Sequence, residues 1–99
     1  MVTVLFLIPK SADATEVDAF VSDRLPTLKQ FPGLRSLSVS DGDLMGPAGS
    51  QIPYAKVIAA SFGSLGEAMA VRQSPAGQSD NEELKRLGTQ VLMYEAKEI

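Results

Sequence analysis

Apolar and polar positions divide the chain into six segments of differing period. Val2 to Ile8 is rich in Val, Leu, Ile and Phe and is closed by Pro9, which suits a strand buried on both faces. Ser11, Asp13 and Thr15 then offer helix caps, and Val17, Phe20, Val21, Leu25 and Leu28 recur at spacings of three and four, a single helical face. Pro26 interrupts that face and predicts a kink, and Pro32-Gly33 ends the helix. From Leu34 to Ser40 the pattern alternates, with Arg35, Leu37 and Val39 on one side and three serines on the other. Asp41 to Pro53 is a loop rich in Gly, Pro, Asp and Ser, long enough to carry function or meet a partner. Tyr54 to Phe62 is a third strand of small apolar residues with Lys56 as its one charge. Ser64 and Glu67 are spaced as a capping box for a helix that breaks at Ser74-Pro75. Ser79 and Glu82 have the same spacing and predict a restart over Asn81 to Leu87, stopped by Gly88. Thr89 to Lys97 is the fourth strand.

The order β-α-β-β-α-β is the split βαβ arrangement, an α+β ferredoxin-like fold. It puts helices on one face of a four-stranded antiparallel sheet and leaves the other face open. Apolar residues on both parities of the first and last strands predict that a second copy covers the open face, giving a homodimer.

Composition narrows the chemistry. The 99 residues make one domain, 1–99, with 9 Lys+Arg against 12 Asp+Glu, a net charge of -3 and no basic footprint for nucleic acid. Zero His and zero Cys remove disulfides, zinc fingers, thiol nucleophiles, the Ser-His-Asp triad and His-ligated haem. No loop alternates acidic ligands and no glycine-rich phosphate loop occurs, so neither metal nor cofactor is expected. The longest apolar run, Val4 to Pro9, is too short to cross a membrane and follows no cationic segment, so a cytoplasmic protein is expected.

Three segments carry a resemblance. They are Leu25-Pro26-Thr27-Leu28 leading into Phe31-Pro32-Gly33-Leu34, then Phe62-Gly63-Ser64-Leu65-Gly66-Glu67-Ala68 after the third strand, and Ser74-Pro75-Ala76-Gly77 inside the second helix. In order and spacing they resemble the EthD family, named for ethyl tert-butyl ether degradation, within the dimeric α/β-barrel superfamily. The resemblance implies a homodimer whose two sheets close into one barrel, among relatives that include cofactor-independent monooxygenases, dehydratases, isomerases and haem enzymes. Many EthD-like proteins carry a His two residues before the Pro of the first helix. Arg24 stands there in this chain. A guanidinium cannot serve as general base, so chemistry that depends on that His does not transfer.

With few polar side chains able to orient a ligand, Arg24, Tyr54 and Tyr94 are the candidate binding residues. Arg24 would anchor an anionic or carbonyl group, or simply pair with Asp23 or another carboxylate at the surface. A tyrosine hydroxyl could donate to a substrate oxygen, or its ring could pack at the dimer face. Lys56 and Arg35 read as charges reaching the sheet edge, and Asp41-Gly42-Asp43 as a turn. Met45, Met69 and Met93 form no stripe and read as core or interface filler. The functional expectation is a small hydrophobic or oxygenated organic ligand held between sheet and helices, in an accessory or enzymatic catabolic role. The alternatives are a cofactor-independent monooxygenase or dehydratase on an aromatic or polyketide-like substrate, and a dimerisation module with no pocket. A cavity of several hundred Å³ with converging Tyr and Arg groups would mark either of the first two.

Overall fold

In the computed structural model, which describes residues 1–97 and 99, four strands pair antiparallel in the order β2-β3-β1-β4. They are β1 (Val2–Pro9), β2 (Leu34–Val39), β3 (Tyr54–Phe62) and β4 (Gln90–Glu95). The helices are α1 (Ala14–Ala19), a π turn (Phe20–Arg24), α2 (Leu25–Leu28), α3 (Leu65–Gln73) and α4 (Pro75–Arg86). The architecture is the ferredoxin-like α+β one that the pattern predicts.

Strand register fixes which residues share a face. Val4 lies between Ala60 and Met93, and Phe6 between Ile58 and Val91. These point to the helices, where Ile8, Ile58, Val17, Phe20, Leu25, Leu84 and Leu87 form one core cluster and Val2, Val4, Ala60, Phe62 and Ala68 another. The alternate residues form the open face, with rows Ser38–Ala59–Leu5–Leu92 and Ser36–Ser61–Thr3–Tyr94. Leu92 and Tyr94, on the edge strand β4, are 46% and 50% exposed and extend the apolar surface of that face.

Two bulges adjust this register. On β2 Arg35 drops out of the ladder between Leu34 and Ser36, so Leu34 and Leu37 both pack toward the core although they are three residues apart. Strict alternation over Leu34 to Ser40 is corrected at that point. On β3 Ala55 is skipped opposite Pro9, which has no N–H to give the ladder. The bulge turns Tyr54 to the open face, where its hydroxyl donates to Gln90 Oε1.

The first helix departs from a simple kink. Asp13 caps it, its Oδ1 accepting from Glu16 N at 3.0 Å. Pro26 has no N–H to answer the Ser22 carbonyl, and its ring crowds that carbonyl. The turn before Pro26 therefore opens, and Leu25 N–H bonds Phe20 O, five residues back. In a regular helix, positions five apart point about 140° away from each other. The opened turn brings Phe20 and Leu25 to the same side, both buried.

The break at Ser74-Pro75 is a corner from which α4 starts at once. Ser74 Oγ accepts from Gly77 N at 3.1 Å and donates to Val71 O at 2.6 Å, and Pro75 takes the first helical position, where no donor is needed. A Cβ on Gly77 would lie 1.9 Å from Val71 O, so only glycine lets α4 leave α3 this closely. The expected restart at Asn81 is thus corrected: Ser79 sits inside α4 and caps nothing. At α3 the box is half made, since Ser64 Oγ accepts from Glu67 N at 3.2 Å while the glutamate meets the Ser64 hydroxyl and not its amide. The loop after β2 keeps its glycine turn at Gly42 (φ 79°), and it leaves Met45 96% exposed, so that methionine fills no core in the single chain.

Candidate functional site

Between the sheet and the helices the core is incomplete. Val4, Phe6, Ala60 and Met93 from the sheet face Leu28, Phe31, Ala68, Val71 and Leu84 from the helical layer across a cavity of about 110 Å³. Small side chains at Ala60 and Ala68 are what leave the space. The walls are almost wholly carbon, and the polar side chains that reach them are Arg72, Asp80 and Asn81.

Asp80 is the unusual one. A carboxylate 7% exposed must be paired to be tolerated. Its Oδ1 accepts from Arg24 Nη2, and the same nitrogen lies 3.0 Å from Ser79 Oγ. The Arg24 side chain is 39% exposed, on the outer side of the helical layer. The π turn and α4 therefore meet through an ion pair whose acidic half lines the cavity and whose basic half lies on the outer surface.

The sequence-selected residues do not converge on one point. Arg24 touches the cavity wall through Asp80 and lines a shallow surface hollow with Glu16, Asp23, Glu83 and Arg86. Tyr54 and Tyr94 lie across the sheet on the open face, and neither lines the cavity. The cavity is also smaller than the several hundred Å³ expected. Lys56 reaches Ser40 O at 3.5 Å at the sheet end. Asp80 was missed, although it carried a signal: Gly77, Asp80, Leu84 and Leu87 share one helical stripe, on which an aspartate is out of place. A break at Ser74-Pro75 with a restart only at Asn81 leaves that stripe out of sight.

Around the hollow, Arg86 bridges Glu83 of α4 and Glu16 of α1, the second at 3.2 Å. Hydrogen bonding and charge from Arg86 lower the Glu83 pKa below its ordinary 4.5. A carboxyl lowered in the folded state adds stability above its unfolded pKa, and that contribution is lost as pH falls through the folded value. Carboxyl-carbon NMR should therefore show Glu83 titrating below 4.5, with its midpoint returning upward in Arg86→Met. An unchanged midpoint in the variant would mean that the pair does not persist in solution. Among the described residues no group of three acidic, His or Cys side chains could hold a metal, and no helix is long and apolar enough to cross a membrane.

No family model and no curated protein matches the sequence. Solved structures do match the fold. An EthD family protein from Bacillus halodurans C-125 superposes with a TM-score of 0.78 at 16% identity, covering 98% of this chain and 99% of that one. The chain has an EthD-like fold. SnoaB, a cofactor-independent oxygenase from Streptomyces nogalater, superposes at 0.72 with 12% identity, covering 99% and 94%. A dimeric ferredoxin-like protein of unknown function from Thermobifida fusca gives 0.70 at 12% identity, covering 94% and 88%. At these identities the EthD-like fold is shared, and activity is a separate question.

Proposed function

We propose that the protein is a homodimer that binds one small apolar organic molecule per subunit in the cavity between sheet and helices. The observation that carries the reading is the cavity itself, a largely carbon-lined space in the core with one buried, ion-paired carboxylate in its wall. An apolar cavity of about 150 Å³ holds benzene, so one of about 110 Å³ suits a ligand no larger than a single ring. Arg24 contributes from outside by holding Asp80. Tyr54 and Tyr94 contribute to the second surface, the open sheet face on which the partner subunit would pack. The dimeric neighbour of the same fold supports that assembly.

Filling the cavity tests the reading. Ala68→Leu places three more carbons in the void and should lower toluene affinity at least about tenfold by calorimetry. Thermal stability should hold, because the added carbons take empty space. Unchanged toluene affinity in the variant would show that the molecule binds elsewhere. An oxygenase or dehydratase role is a further step, supported by the presence of an oxygenase among the neighbours of shared fold.

A further inference from the structure

We propose that the ligand is a neutral, ring-sized molecule bearing a hydroxyl, an alcohol or a phenol, which donates a hydrogen bond to the carboxylate of Asp80. This rests on the cavity reading above and adds the chemical class of what the cavity takes.

The inference comes from unequal demands within the wall. An ionised carboxylate has no donor and about four acceptor positions on its two oxygens. Among the described residues Arg24 is its hydrogen-bond partner, and it engages Oδ1 from the outer side. The carboxylate stands on α4 one helical turn from Leu84, in the wall that also holds Phe31, Val71 and Met93. Asp80 lines the cavity, and its remaining acceptor capacity is open to a ligand in a site whose other walls are carbon apart from Arg72 and Asn81. A ligand with one donor and an otherwise apolar body meets both requirements. A ketone or ether would set a lone pair against the carboxylate, and a carboxylic acid would set charge against charge.

Arg24 decides the charge of the preferred donor. Its guanidinium already balances Asp80, so the pair is neutral as a whole and a cationic amine gains little from it. Ser79 holds the same guanidinium nitrogen at 3.0 Å, which fixes the orientation of the pair. Two other polar side chains, Arg72 and Asn81, stand in the wall. Arg72 lines the cavity with its side chain at the exposed rim, and an anion could be drawn to it instead.

The test uses three probes of one ring each, phenol, toluene and benzoate, titrated into the wild-type protein at pH 7. Phenol should bind at least about tenfold more tightly than toluene, the gain of one hydrogen bond to a charged acceptor, and benzoate should bind more weakly than both. In Asp80→Asn the preference for phenol over toluene should shrink to within about threefold. Should that variant fail to fold, the wild-type series decides alone. Equal affinities for phenol and toluene overturn the hydroxyl assignment and leave the cavity reading standing. Benzoate as the tightest probe overturns it in favour of Arg72 as the anchor. If none of the three binds, the cavity reading falls too.

Discussion

Leu92→Asp will leave the protein monomeric: light scattering behind a sizing column should give 10.5 kDa for the variant and twice that for the parent. Leu92 stands on the open sheet face beside Leu5, in the row that continues to Ala59, and is 46% exposed in the single chain. A face of this kind, with Leu7 and Val57 in the next row, has no helix over it. Two copies packed face to face would bury it, and a stable interface of this type covers about 1,200–2,000 Å² in total. An aspartate at Leu92 would be buried without a partner in such a dimer, at a cost the interface cannot meet. The fold itself should survive, because the side chain adds little to either core cluster. Circular dichroism should therefore be unchanged. A dimer that persists in Leu92→Asp would place the interface elsewhere.

The largest effect on stability is expected inside the first helix. Phe20→Ala should lower the unfolding free energy by about 3–5 kcal/mol, read from the urea midpoint at constant slope. Phe20 is 3% exposed and packs with Ile8, Ile58, Leu84 and Leu87 at the junction of sheet, π turn and α4. Truncation leaves a void that the rigid sheet cannot close. The loss is a large part of the total for a chain of this size, typically about 5–15 kcal/mol. A change below about 1 kcal/mol would mean that the opened turn is absent in solution, since that turn is what buries Phe20 together with Leu25.

How far the sequence reveals this molecule depends on how local the cause of each feature is. The strands and their order follow from short apolar runs bounded by Pro and Gly, and a chain of about 100 residues has few ways to cover one sheet face with two helical segments. Three features act through a neighbour and stay hidden from periodicity. Pro26 predicts a disturbance, but its effect lands one turn earlier, at Phe20–Arg24, because the carbonyl it crowds belongs to Ser22. Pro75 reads as a breaker, yet at the first helical position a missing donor costs nothing. Arg35 alternates correctly with Leu37, and only the pairing of Leu34 with Phe62 shows that it is the bulged residue. The candidate site suffered from the second of these. Once residues 75–80 are helical, Asp80 falls on the stripe of Leu84 and Leu87 and becomes a buried carboxylate in need of a partner. Arg24 stood out beforehand because of where it sits next to Pro26. Its partner, Asp80, lies 56 residues away and could be found only in three dimensions.

Native mass spectrometry of the protein equilibrated with toluene measures the assembly and the occupied cavity in one spectrum. The expected result is a dimer of twice 10.5 kDa carrying up to two toluene masses, with uptake reduced in Ala68→Leu. A monomer at micromolar concentration, or a dimer that takes up no toluene, would contradict the proposed function.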